Sequence, residues 1–190
     1  MTKIPNYSEL GSKRLPQHDY SQPGAYFVTI CTAERQCFFG EIIEGQMKLN
    51  KSGLIVAQQW FGLPSHYVNV SLDEFVIMPN HVHGLISLTE GSPPSVGAGF
   101  QPADASHPTK SQHGLPEIIR GFKTYSSLEI NRLRDTPGNP IWQRNYYEHV
   151  VRTEADLNGI RKYIVENPRK WAEDGENPAV RETVRASWAG

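Results

Sequence analysis

Three features that this 190-residue chain lacks narrow the classes of protein to which it can belong. It has no apolar run near the roughly 18 residues that a membrane-spanning helix needs, so we expect no membrane partner. Its two cysteines, Cys31 and Cys37, match no zinc-binding spacing and no secretory signal precedes them, which favours free thiols in a cytoplasmic protein. The formal net charge is only −1, so the charge as a whole does not indicate a nucleic-acid partner.

The composition that remains is that of a globular protein with one domain. Hydrophobic residues make up 38% of the chain and charged residues 21%, which is typical of a protein with a single core. Residues 1–23 are polar and rich in proline, which predicts an extended N-terminal arm. Residues 91–114 are rich in Gly, Pro, Ser and Ala, which predicts a mobile linker inside a domain covering residues 24–171. Residues 172–190 are predicted to form a loosely ordered tail.

The apolar patterns predict a strand, a hairpin, a helix, paired strands, the linker, a helix, a strand and a helix, in that order. The hairpin is expected to turn near Glu44-Gly45. The last helix is expected to begin at a Thr153 cap and to end at Pro168. Pro79, within a long strand-like run, indicates an edge, a bulge or a break between two strands. This order predicts an α+β fold, a ferredoxin-like antiparallel sheet with helices packed on one face.

Two histidines, His81 and His83, are separated by one residue in the apolar stretch MPNHVHGLI. Because side chains alternate along a strand, both are predicted to project from the same face, with Cβ atoms about 7 Å apart. If the stretch is read as one strand, that face is opposite to the face of Met78 and Val82. Two neutral imidazoles on one face can bind a metal ion, although a third ligand is needed. The alternative is a pair of polar residues on a solvated face.

A helix far from the histidines offers further candidate groups. In RKYIVENPRKW, Tyr163 and Asn167 are four residues apart, so they lie on one helical face at the margin of an apolar stripe. The Asn167 side chain has a carbonyl oxygen that can bind a metal ion. Each feature also has a structural explanation, because the tyrosine can be a packing residue and the asparagine a helix stop before proline. Basic residues that suit phosphate contacts, or that stabilise the helix dipole, surround this helix end: Arg161, Lys162, Arg169 and Lys170.

In this order, the motifs resemble those of the Y1 class of HUH single-strand DNA transposases, and most of all the REP-associated tyrosine transposases. The resemblance rests on GAYFVTI, MPNHVHGLI, IIRGFKTYSSLEIN and the block from Ile141 to Trp171. It covers most of residues 24–171, which would then form a single catalytic domain. Related insertion-sequence enzymes often have Gln at the position of Asn167, so a shorter amide stands there in this chain.

The resemblance implies a metal-dependent enzyme that cleaves and rejoins single-stranded DNA folded into a REP-like hairpin. His81, His83 and Asn167 would hold Mg²⁺ or Mn²⁺, and Tyr163 would attack the scissile phosphate to form a 5′-phosphotyrosine. Hairpin DNA is the expected partner, and the protein is expected to be a monomer or a homodimer. The cations expected to contact DNA are Lys13, Arg14, Arg120, Lys123, Arg132, Arg134, Arg144, Arg161, Lys162 and Arg169.

Tyr146 and Tyr147, in RNYYEHVV, compete with Tyr163 for the role of nucleophile. Tyr163 is preferred because it alone has an amide side chain four residues further along the chain. Two other functions stay open. One is a non-catalytic module that binds hairpin nucleic acid. The other is a metal-dependent hydrolase that uses water and needs acidic groups near the histidines, where Asp73-Glu74 is the close acidic pair in sequence.

Overall fold

The structure is a computed structural model of the chain, and it describes residues 18–90 and 113–182. Most of the predicted arm with Lys13 and Arg14, nearly all of the predicted linker and the last part of the predicted tail lie outside the described residues. The strands are β1 (Gly24–Cys31), β2 (Gly40–Ile43), β3 (Gln46–Leu49), β4 (Val70–Met78), β5 (His81–Leu88) and β6 (Tyr147–Val151). The helices are α1 (Lys51–Phe61), α2 (Leu63–His66), α3 (Leu115–Arg134) and α4 (Glu154–Glu166), and a 3-10 turn, Asn167–Glu173, follows α4.

Four strands form one antiparallel sheet in the order β4-β5-β1-β6, while β2 and β3 form a separate hairpin. The predicted α+β, ferredoxin-like class is confirmed. The central strands β1 and β5 are buried along nearly their whole length, which indicates that both faces of the sheet are covered. The small hairpin turns at Glu44 and Gly45, whose φ angles are 51° and 72°, as its sequence predicted.

Helices α1 and α3 cover one face of the sheet. Trp60 of α1 and Phe122 of α3 meet edge to face, with ring centroids 5.4 Å apart. Both rings belong to the main apolar core, which also contains Val28 of β1 and Val82 of β5. Each helix turns part of its predicted apolar stripe towards this core, but Leu54 and Phe61 of α1 and Tyr125 and Leu128 of α3, which the pattern also included, are exposed. These two helices are the predicted helical layer.

Helix α4 lies on the opposite face of the sheet, so the prediction that the helices pack on one face was wrong for α4. Phe27 of β1 and Leu85 of β5 alternate with the residues of the first face, and they pack against Ile160 and Ile164 of α4. The helix begins after its predicted cap, Thr153, and ends just before Pro168. This face therefore has a buried core of its own. Among the described residues, no helix has the length and apolar character needed to cross a membrane.

MPNHVHGLI is not one strand, because β4 and β5 are joined by a two-residue turn at Pro79 and Asn80. Across this turn, Met78 pairs with His81, and residues that pair directly share a face of the sheet. Both histidines therefore lie on the face of Met78, beneath α4. The face predicted by alternation through the turn was wrong, and Pro79 marks a break between two strands.

Part of the segment predicted as a loosely ordered tail packs against the body of the protein. Glu176 is buried and forms an ion pair with Arg35. The side chain of Asn80 donates a hydrogen bond to the Glu176 carbonyl oxygen at 2.7 Å. This segment therefore closes the end of the sheet at which β4 turns into β5, next to His81.

Replacing Gly84 with alanine is expected to destabilise the fold. Gly84 lies in β5 against the ring of Trp60, which stacks on Phe75 with centroids 4.4 Å apart, and an added methyl group would overlap the Trp60 ring. We expect a loss of about 2–3 kcal/mol in the free energy of unfolding, measured in urea. The control is Gly159→Ala in α4, where a methyl group meets no described atom within 4 Å and should stabilise by up to about 1 kcal/mol. Unchanged stability of Gly84→Ala would contradict this packing.

Candidate active site

His81 and His83 bring two ring nitrogens together beneath α4. Both side chains are completely buried, and their Nε2 atoms lie 3.0 Å apart. β5 presents both rings on one side because they are two residues apart, and α4 covers that side. The prediction that the two histidines share a face is confirmed, and their burial rules out a solvated face.

The second nitrogen of each ring is held by a hydrogen bond. His83 Nδ1 lies 2.8 Å from Thr29 Oγ1, and His81 Nδ1 lies 2.9 Å from Asn80 Oδ1. The Asn80 amide nitrogen donates to two backbone carbonyl oxygens, so Oδ1 must be the atom that faces His81. Because Oδ1 only accepts, His81 carries its proton on Nδ1. Its Nε2 therefore has a lone pair that points into the site.

Burial keeps both imidazoles neutral. It lowers the pKa of His83 to about 3, and burial together with the neighbouring ring lowers the pKa of His81 well below its ordinary value. With both Nδ1 atoms engaged, the Nε2 atoms face one another at 3.0 Å, which is unfavourable unless a proton or a cation lies between them. Neutral imidazole is the form that binds metal ions, so the pair is arranged as two metal ligands.

A carboxylate that the sequence analysis missed completes this cluster. Asp174 Oδ2 lies 3.8 Å from His81 Nε2, and one ligand atom from each of Asp174, His81 and His83 lies within 4.8 Å of the others. Burial raises the pKa of Asp174 to about 6, and the nearby charge of Arg35 opposes that rise. The sequence carries no local signal for this residue, because it follows the last predicted helix in the stretch taken as a tail.

Asn167, the third ligand expected from the resemblance, is buried where α4 ends. Its Oδ1 atom has no hydrogen-bond partner within residues 18–90 and 113–182. A buried carbonyl oxygen without a partner is costly, and a bound cation would satisfy it. The donors that the structure offers are thus imidazole nitrogens with carboxylate and amide oxygens, a mixed set that suits Mn²⁺ or Mg²⁺. The residues present fit the metal that the resemblance implies.

Tyr163 faces the histidine pair from α4. Its hydroxyl oxygen lies 3.4 Å from His83 Nε2, although the two residues are 80 positions apart in the sequence. Its ring packs edge-on against Phe27, with centroids 6.1 Å apart, and the side chain is only half-buried. The tyrosine oxygen therefore reaches the ligand cluster from a position that is still open to solvent.

The competing tyrosines lie elsewhere in the sheet. His83 pairs with Thr29 and Thr29 pairs with Tyr147, so Tyr147 shares the face of the histidines but is two strands, or about 10 Å, away along the backbone. Tyr146 packs against the core of the other face. Of the three tyrosines, Tyr163 places its hydroxyl beside the histidine pair, 3.4 Å from His83 Nε2.

Two of the cations predicted to contact DNA have partners inside the fold. Three contacts of 2.6 to 3.2 Å join the Arg161 guanidinium to the Asp73 carboxylate, and this hydrogen bonding lowers the pKa of Asp73. The pair ties α4 to β4 two residues before Tyr163. Lys123 of α3 donates to the carbonyl oxygens of residues 143–145. Both cations therefore hold the framework of the domain.

Other predicted cations lie at the surface. Arg120 and Arg144 line an open groove of about 630 Å³ between α3 and the segment that leads to β6. Apolar side chains, among them Ile141 and Trp142, form part of its wall. Arg134 lies over the Phe38 ring, 4.4 Å from its centre. Of the other cations predicted to contact DNA, Arg132, Arg134, Lys162 and Arg169 are exposed outside the groove.

Because Lys123 is used inside the fold, we expect Lys123→Met to lower stability. The variant loses hydrogen bonds from the ammonium group at 2.5, 3.0 and 3.4 Å, and burial already lowers the pKa of this group to about 8. The expected loss is about 2 kcal/mol, read from the urea unfolding midpoint. Lys162→Met, at an exposed position of α4, is the control and should leave the midpoint unchanged. If Lys123→Met is as stable as the wild type, the hydrogen bonds from Lys123 to residues 143–145 do not stabilise the fold.

The comparisons with known proteins agree with these motifs. An uncharacterised protein of Haemophilus influenzae is 38% identical over 164 residues, which span 86% of this chain and 90% of that protein. A second protein of the same organism, named "Putative REP-associated tyrosine transposase", is 26% identical over 155 residues, 81% of this chain and 75% of its own length. The solved structure of a REP-associated tyrosine transposase bound to a REP hairpin shares the fold, with a TM-score of 0.55 at 17% identity, over 83% of this chain and 74% of that one. No protein-family model matches the chain.

These likenesses confirm the resemblance that the motifs indicated. The chain resembles the REP-associated tyrosine transposases of the Y1 class in sequence and in fold. It belongs to the same family as the uncharacterised Haemophilus influenzae protein.

Proposed function

We propose that the protein nicks and rejoins single-stranded, REP-like hairpin DNA through a 5′-phosphotyrosine on Tyr163, with the help of a divalent metal ion. The observation that carries this proposal is the position of the Tyr163 hydroxyl, 3.4 Å from His83 Nε2, which lies 3.0 Å from His81 Nε2. A relative of the same fold is bound to a REP hairpin, which makes hairpin DNA the substrate class to test first.

In the cleavage step, the Tyr163 oxygen attacks phosphorus. The Oη–P bond forms, the P–O3′ bond breaks, the phenol loses its proton and the 3′ oxygen gains one. Tyrosine has a pKa near 10, so the phenolate needs stabilisation at neutral pH. A divalent cation held by His81, His83 and Asn167 would supply positive charge to the phosphate and to the developing phenolate. Because the ester is conserved in the adduct, attack by a new 3′-OH rejoins the strand without ATP.

Exposed basic residues elsewhere in the molecule are candidate contacts for the DNA backbone. Arg120 and Arg144 along the α3 groove, with the exposed Arg132 and Arg169, are the cations proposed to contact phosphates. Binding through them would weaken as the salt concentration rises, since each phosphate contact releases counterions. Arg161 and Lys123 are proposed to act without contacting DNA. Arg161 fixes the position of α4, and Lys123 fixes residues 143–145 at the wall of the groove.

The test is to incubate the protein with 3′-end-labelled hairpin DNA and Mn²⁺ and to separate the products on a denaturing gel, because the 5′-phosphotyrosine retains the fragment on the 3′ side of the nick. A labelled band that migrates with the protein, and that a chelator prevents, is the expected result. Hairpin binding without cleavage would indicate the non-catalytic module. Cleavage without a protein-linked band would indicate a hydrolase that uses water.

A further inference from the structure

One side chain of the cluster has no role in the reaction derived above. The Asp174 side chain is only 8% exposed, and its Oδ2 atom is turned towards His81 Nε2, at 3.8 Å. In an octahedral Mg²⁺ or Mn²⁺ centre with bonds of about 2.1 Å, adjacent ligand atoms are about 3 Å apart and opposite ones about 4.2 Å. The separations of 3.0 Å between the two histidines and 3.8 Å from His81 to Asp174 both fall in that range.

We infer that Asp174 is the anionic ligand of the metal centre and binds the ion through Oδ2. This inference rests on the proposed function, because it assigns a ligand to the same metal centre. His81, His83 and Asn167 are neutral donors, so without Asp174 the divalent ion would have no charged ligand from these residues. The carboxylate supplies the charge, and it explains why an acidic side chain is buried beside two neutral imidazoles.

A set of contacts holds Asp174 in this position. Its Oδ1 accepts a hydrogen bond from the Glu176 backbone N–H at 2.7 Å, which leaves Oδ2 to face the histidines. The Glu176 carboxylate is paired with Arg35, so the charge of Arg35 is engaged by Glu176. Asn80 donates to the carbonyl oxygens of Arg35, at 3.0 Å, and Glu176, at 2.7 Å, and accepts from His81. One amide thus positions both the ligand histidine and the segment that carries Asp174.

The test measures Mn²⁺ binding to the full-length protein without DNA, by titration calorimetry. Asp174→Asn keeps the shape of the side chain and removes its charge. We expect this variant to bind Mn²⁺ at least about 10-fold more weakly than the wild type. The matched control is Glu173→Gln, the same kind of change at an exposed neighbouring residue, and its dissociation constant should be unchanged. Asp174→Glu, which keeps the charge, should lie between the wild type and Asp174→Asn.

The outcomes separate this inference from the proposed function. If Asp174→Asn and Asp174→Glu bind Mn²⁺ as the wild type does, while His83→Ala does not, the metal centre stands and Asp174 is not its ligand. If the wild type binds no Mn²⁺, or if His83→Ala binds it equally well, both the inference and the proposed metal centre are wrong. Thermal unfolding, compared with and without Mn²⁺, provides a second measurement: Mn²⁺ should raise the unfolding temperature of the wild type and of Glu173→Gln more than that of Asp174→Asn.

Discussion

Replacing Tyr163 with phenylalanine is expected to abolish the covalent protein–DNA adduct and to reduce hairpin cleavage at least about 10³-fold. The change removes one oxygen atom, the one that lies 3.4 Å from His83 Nε2. The ring keeps its edge-on contact with Phe27, so the fold and the affinity for hairpin DNA should be unchanged. Adduct formation is measured with labelled hairpin DNA on denaturing gels, and binding by gel shift.

Tyr147→Phe is the matched control for this experiment. Tyr147 shares the face of the histidines, and its ring also packs edge-on against Phe27, with centroids 6.3 Å apart. Its backbone position is two strands away from His83, so its loss should leave adduct formation intact. If the adduct persisted in Tyr163→Phe and disappeared in Tyr147→Phe, the nucleophile would be Tyr147.

Substituting alanine for His83 is expected to have the second large effect, a loss of cleavage of about 10³-fold or more with hairpin binding retained. The variant loses one of the two Nε2 atoms that converge in the site and also the contact with the Tyr163 hydroxyl. Without this ligand, the site should bind a divalent ion poorly and the phenolate should form less readily. The proposed phosphate contacts are on other elements, so the affinity for DNA should change little.

His149→Ala is the control for the loss of a histidine. His149 is half-buried on β6 and forms a 2.8 Å hydrogen bond with Asp156 at the start of α4. The contact with Asp156 indicates that His149 has a structural role away from the histidine pair. We therefore expect His149→Ala to cleave hairpin DNA and to bind Mn²⁺ as the wild type does. A His83→Ala protein that cleaves as fast as the wild type would show that the histidine pair is not part of the catalytic site.

The sequence predicted the elements of the fold because each has a strong local signal. Thr153 and Pro168 delimit α4, and Glu44-Gly45 makes the hairpin turn. The face of the histidines could not be predicted by alternation, because the turn at Pro79 reverses the chain, and Met78 and His81 then pair across it. The common side of the two histidines was predicted correctly because both lie within β5.

The remaining features of the candidate site depend on contacts between distant parts of the chain. Asp174 reaches His81 because the Arg35–Glu176 ion pair and Asn80 hold its segment against the sheet, and no local pattern reports such contacts. The same holds for Lys123, whose positive charge is visible in the sequence while the carbonyl oxygens that it binds are not.

The most direct test of the account is to find the amino acid that carries the DNA in the adduct. Trypsin separates the candidates, because cleavage after Lys162 and Arg169 releases YIVENPR with Tyr163, and cleavage after Arg144 and Arg152 releases NYYEHVVR with the other two tyrosines. After nuclease digestion, mass spectrometry should find a 5′-linked nucleotide on YIVENPR. A nucleotide on NYYEHVVR, or cleavage with neither peptide modified, would contradict the assignment of Tyr163 as the nucleophile.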